Sequence, residues 1–122
     1  MRSKLITALL SCLILLTLPV HAADKEFDSF WLEFKQALQK NDQQKIVSLT
    51  KTPFYYQDKN LDKTHLLPQL SKIFTPKVRK CLIKQRPVGD SKEGYSGFCG
   101  EIIYIFSKVN GHYLFTDLGV ND

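Results

Sequence analysis

The 122-residue chain predicts an α+β domain: N-terminal helices packed on a curved antiparallel sheet of about three to four strands, closed by a C-terminal hairpin. Three observations predict it. Phe27, Phe30, Trp31, Phe34, Ala37 and Leu38 recur at helical spacing and form one apolar face. Ile102-Ile103-Tyr104-Ile105-Phe106 is a β-branched and aromatic run without helical period. Asn110-Gly111 stands between apolar segments, the strongest short hairpin signal. Helices first and strands last is the order of a domain whose helices cover one face of an antiparallel sheet.

The elements follow in order. Residues 1–22 read as a secretory signal peptide: Arg2 and Lys4, an apolar run from Leu5 to Leu18, then Val20-His21-Ala22 as a cleavage signal. The apolar run is shorter than the ~20 residues of a spanning helix, and no membrane span is expected after cleavage. A lipoprotein reading at Leu9-Leu10-Ser11-Cys12 conflicts with the apolar Leu13–Leu16 that follows the cysteine. Residues 23–122 then form one domain, exported to the periplasm of a Gram-negative cell, with secretion as the alternative.

Asp24, Asp28 and Lys40 place charges where a helix dipole favours them around the first apolar face. Asn41 and Gln44 have the spacing of a capping box for a short second helix carrying Ile46, Val47 and Leu49. Pro53 ends it. Phe54-Tyr55-Tyr56 reads as a strand and Gln57–Asn60 as a turn. Leu66, Leu67, Leu70, Ile73 and Phe74 predict a helix beginning near Leu66, with Pro68 in its first turn. Thr75-Pro76 restarts a helix with Val78, Cys81 and Leu82 inward. Arg86–Gly94 reads as loop. Strand character begins at Tyr95, and the 102–106 run, apolar on both faces, reads as a central, well-covered strand. Tyr113-Leu114-Phe115 returns it, with Leu118-Gly119-Val120 as an extension.

Loss of the leader removes Cys12, Arg2 and Lys4 while all 12 acidic residues stay, so the formal charge falls from +5 to +3. Whole-chain basicity then gives no support to nucleic-acid binding. Lys77, Arg79, Lys80, Lys84 and Arg86 form a local basic patch suited to an acidic protein or envelope partner. Asp62 and His65 are a possible acid/base pair, although Asp62 also suits a helix start. Glu101, beside the most apolar run, would be a general base if it entered a pocket. His112 falls at a turn. No metal-ligand spacing, phosphate loop or nucleophile triad is present, and no cofactor is expected.

Phe30-Trp31-x-x-Phe34-x-x-Ala37-Leu38, Pro53-Phe54, the Ile73–Lys80 segment and the ending from Gly100 to Phe115 resemble small exported bacterial proteins of the NTF2-like, cystatin-like α+β type. That resemblance spans nearly all of 23–122 and implies a curved sheet wrapped on a helix, often with a pocket. Trp31, Tyr56, Glu101 and Tyr104 are its candidate lining. It transfers no catalytic residue. The expected function is non-catalytic binding of a small molecule or protein. The alternatives are a pocket enzyme using Glu101 or Asp62/His65, and an interaction or immunity protein using the basic face.

Two cysteines remain, Cys81 and Cys99, and in an oxidising compartment they pair. The loop of about 18 residues makes that bond worth roughly 3 kcal/mol. Reduction is therefore expected to lower the melting temperature by roughly 10–20 °C. Calorimetry with and without reductant tests it, and an unchanged transition would mean that the thiols are not joined.

Overall fold

A computed structural model describes residues 24–121. The predicted leader and Cys12 lie outside the described residues. Helix α1 spans Lys25–Lys40 and buries the predicted stripe, Phe27, Phe30, Trp31, Phe34, Ala37 and Leu38. Asp24 caps it, accepting from the Phe27 N–H at 3.1 Å. Asn41 ends it in the left-handed region at φ 51°, so it closes α1 instead of opening α2. The cap of α2 (Gln43–Ser48) is Asp42, one residue later than the capping-box spacing suggested.

Phe54–Tyr56 (β1) and Lys59–Leu61 (β2) form a separate two-stranded hairpin. Its turn is only Gln57-Asp58, both at positive φ, so Lys59 and Asn60 belong to a strand and not to the turn. The next helix starts earlier than expected. Asp62 caps α3 (Lys63–Leu66), a 3₁₀ turn over Leu67–Gln69 takes Pro68, and α4 is Leu70–Ile73. Pro68 lacks the N–H that a continuous α-helix needs, and the segment breaks there. Thr75 caps α5 (Pro76–Ile83) as predicted, accepting from the Val78 N–H at 3.1 Å.

The main sheet has the order β3-β4-β5-β6, antiparallel throughout: Val88–Asp90, Gly94–Cys99, Ile102–Val109 and His112–Val120. Strand β3 lies inside the predicted loop. It pairs through Gly89, φ 147°, where a Cβ would fall 2.1 Å from the Gly94 carbonyl oxygen. Asn110-Gly111, both at positive φ, makes the predicted hairpin turn between β5 and β6. A register shift at Ile105/Phe106 makes Thr116 an extra residue. The bulge keeps Tyr113 and Phe115 on one side of it, and Leu118 beyond it, on the same inner face as Tyr104 and Phe106.

Helix α1 lies against that inner face. Phe34 and Trp31 meet the Phe106 ring edge-on at 5.3 and 5.4 Å, and Phe27 stacks on Tyr95 at 3.8 Å. Each buried aromatic of this kind contributes about 1.5–3 kcal/mol. Gly97 allows α5 its close approach, since a Cβ there would stand 2.9 Å from Leu82 Cδ2. The opposite face of the sheet is not covered among the described residues. Strand β5 is central in order but one-sided in burial, which corrects the reading of it as covered on both faces: Tyr104 and Phe106 are buried, Ile103 and Ile105 only partly. No helix among the described residues is long and apolar enough to cross a membrane.

Asp24 also joins helix to sheet. Its second carboxylate oxygen accepts from the hydroxyls of Tyr113 at 2.6 Å and Tyr95 at 2.9 Å. Partial burial opposes its ionisation, but the Tyr113, Phe27 N–H and Tyr95 hydrogen bonds, with Lys108 nearby, hold its pKa below 3.8. Burial and the Asp24 carboxylate push both tyrosines above their ordinary value of 10.0. A carboxylate with a lowered folded pKa stabilises above its unfolded value and loses that contribution as pH falls through the folded one. A phenol with a raised pKa stabilises below about 10 and loses it as pH rises further. At neutral pH, Asp24→Asn is expected to cost about 1–2 kcal/mol in urea unfolding. The gap to wild type should close as pH falls below 3.8 and through the lowered folded value. A gap that persists there would show that the Asp24 charge is not what stabilises.

Candidate functional site

The four predicted pocket residues do not line one pocket. Trp31 and Tyr104 are buried in the core. Tyr104 donates to the Ile73 carbonyl at 2.7 Å, and burial, with Tyr56 nearby, pushes its hydroxyl up to about 12, out of range for acid/base work at neutral pH. Glu101 is exposed in the two-residue turn Gly100-Glu101, because β5 begins only at Ile102. The alternation that would have aimed it inward does not reach it. Tyr56 alone lines a surface groove. The aromatic packing that makes a small core sufficient fills the space the pocket would need.

That groove, about 320 Å³, is bounded by the β1–β2 hairpin and the α3–α4 segment. Its lining includes Tyr56, Lys59, Leu61, His65, Gln69 and Lys72. His65 stands there because Asp62 caps α3. One Asp62 oxygen accepts the His65 backbone N–H at 2.9 Å and faces the ring Nδ1 at 2.7 Å. The first of these, then the ring contact, lowers the Asp62 pKa below 3.8. With Nδ1–H bonded to Asp62, Nε2 is the ring nitrogen left for a ligand. The spacing of Asp62 and His65 was legible in the sequence. Their partners Lys59, Gln69 and Lys72 were not, because they reach the groove from β2, the 3₁₀ turn and α4.

The basic patch divides into two roles. Arg79 donates to the Leu38 carbonyl at 3.4 Å, tying α5 to the end of α1. Arg86 pairs with Asp28 and lies over the rings of Phe27 at 5.6 Å and Tyr95 at 5.8 Å. Lys77, Lys80 and Lys84 are exposed on or just beyond α5, and none is in an ion pair among the described residues. The sulfurs of Cys81 and Cys99 stand at bonding distance, 2.17 Å, and join α5 to β4. Next to them Gln85 acts as an artificial strand neighbour. Its side-chain oxygen accepts the Phe98 N–H at 3.0 Å and its amide donates to the Phe98 carbonyl at 3.1 Å.

The bare sheet face carries the least expected feature. Phe98 and Ile103 are opposite one another, with Gly119 beyond, and Ile105 is opposite Ser96 and Asp117. Val88 pairs with Ser96 and Leu114 with Ser107, which extends the apolar surface to both sides. Phe98 is 43% exposed and Val88 62%. Sequence reasoning missed this patch by taking apolar residues on both faces of β5 as a sign of two covers. The signal against it was local: Ser96 and Asp117 mark the same face as solvated.

Glutamate at Lys77, Lys80 and Lys84 together is expected to move the melting temperature by no more than about 2 °C, because none of them bears structure. Arg86→Ala is expected to cost about 1 kcal/mol through its exposed ion pair and its packing over two rings. Equal losses in the two variants would show that the patch is not divided in this way.

Comparison with known proteins returns no match: no protein-family model, no curated protein and no solved structure matches the chain.

Proposed function

We propose that this chain is an exported, disulfide-stapled binding protein that performs no chemistry and engages a protein partner through the bare face of its sheet. The observation that carries this is the Phe98–Ile103–Ile105 surface on the uncovered sheet face, with Phe98 and the flanking Val88 exposed and Ile103, Ile105 and Leu114 half-buried. An apolar patch rimmed by polar residues is the kind of surface that protein interaction sites present. Asp117 is the charge set beside Ile105, so the partner is an apolar protein surface carrying a lysine or arginine.

Attachment by strand addition is disfavoured at the guarded edges. Gln85 occupies the β4 edge at Phe98, and the Leu49–Lys51 segment occupies β6 at Phe115 through bonds of 2.9 and 2.8 Å. Helices before a four-stranded antiparallel sheet support the NTF2-like reading of the fold, here with its interior filled. The exposed lysines of α5 favour a second reading, in which an anionic partner docks on that helix.

A photo-crosslinking side chain at Phe98 or Ile103 is expected to form one discrete adduct in cell-envelope extract. Ile105→Lys and Asp117→Lys should abolish it, and a crosslinker at the exposed Leu32 on α1 should form none. Three results would overturn the proposal: equal adducts from all positions, an adduct with a second copy of this chain only, or one lost on reversal of Lys77, Lys80 and Lys84 instead.

A further inference from the structure

The groove beneath the β1–β2 hairpin is independent of the sheet face, and its lining is chemically one-sided. Its lining residues include two lysines, Lys59 and Lys72, with His65, Gln57, Gln69 and Tyr56, all of them carrying hydrogen-bond donors. No carboxylate is among the lining residues, although Asp62 and Asp58 are neighbours in sequence. Both of those have work elsewhere. Asp62 holds the His65 backbone and ring, and Asp58 accepts from the Tyr55 hydroxyl at 3.0 Å. Neither lysine is in an ion pair among the described residues. Leu61 and Pro68 add an apolar side to the same groove.

We infer that this groove binds a small organic phosphate. Two ammonium groups match a dianion better than a single carboxylate, and a phosphate monoester carries about −1.5 to −2 charge and three strong acceptor oxygens. Six donor-bearing side chains exceed what a carboxylate's two oxygens can use. The apolar side accommodates the organic part, and a volume of about 320 Å³ is several times that of a bare phosphate and sits at the lower end of the range for small-molecule sites. Asp62 is a positioning residue. It fixes the His65 ring so that Nε2, not Nδ1, meets the ligand.

The test is an NMR titration of ¹⁵N-labelled protein at constant ionic strength with phenyl phosphate, inorganic phosphate, benzoate and chloride. Phenyl phosphate is expected to give saturable shifts at Lys59, His65, Gln69 and Lys72, with inorganic phosphate weaker and benzoate weaker again. Lys59→Gln and Lys72→Gln, both at exposed positions, should each weaken binding about threefold and together about tenfold. Asp62→Asn should weaken it while the spectrum remains that of the folded protein. Glutamate at Lys77, Lys80 and Lys84 should leave it unchanged. Shifts spread over the α5 lysines, shifts equal to those from chloride, binding that survives the double variant, or tighter binding of benzoate would each overturn the assignment.

Discussion

The structure depends on laying one aromatic helix face across one face of an antiparallel sheet. A domain of about 100 residues has little interior, and it buries enough apolar area only by using large side chains. Phe27, Phe30, Trp31 and Phe34 from α1 therefore interlock with Tyr95, Phe106, Tyr113 and Phe115 from the sheet. The rings fill the space between helix and strands. In a roomier version of such a fold that space would be a pocket, and here stability has taken it. Trp31 and Tyr104 are core residues for the same reason that they looked like pocket candidates: they are large, they face inward, and they have polar edges. The binding sites proposed above accordingly lie on the outside of the domain.

Strand β4 shows how the packing is held in register. At its start, Tyr95 stacks on Phe27 and donates to Asp24. At its end, Cys99 is joined to Cys81, and Gln85 holds the backbone of Phe98 between them. One strand is thus tied to α1 at one end and to α5 at the other. The two ties have different chemistry. The first is electrostatic and responds to pH, because it needs an ionised Asp24 and protonated tyrosines. The second is covalent and responds to redox conditions. Arg86 follows Gln85 and covers the Phe27–Tyr95 stack, so a residue that reads as part of a charged patch completes the core's edge.

Periodic and capped segments were legible in the sequence. The α1 stripe, the Thr75-Pro76 start of α5 and the Asn110-Gly111 turn depend on local rules, and the structure follows them. Errors arose where two local rules competed or a distant contact decided. Asn41 and Asp42 can each cap a helix, and the left-handed residue needed to end α1 took Asn41. Strand β3 exists because β4 offers it an edge, which no property of Val88-Gly89-Asp90 announces. Of the candidate sites, the residue types were readable and the meetings were not. Asp62 and His65 are three apart and do touch, but Lys59 and Lys72 reach their groove from separate elements. Asp24 read as a helix-start charge, and its two tyrosines lie 71 and 89 residues away.

Strand β5 carries the last step. An antiparallel sheet with one solvated face ordinarily alternates apolar and polar residues. Strand β4 does so at Ser96 and β6 at Asp117, but β5 places Ile103 and Ile105 on the solvated side. Such a surface endangers a protein chiefly when strand edges are also free, because edges nucleate open-ended pairing. Here the β4 edge at Phe98 is closed by a glutamine side chain and the β6 edge at Phe115 by the chain before β1. Guarding at those two points limits strand addition on either side of the two apolar residues of β5. An apolar face beside edges guarded at Phe98 and Phe115 favours contact with one complementary surface over indefinite strand addition, and that is the physical basis on which the bare sheet face is proposed as a site.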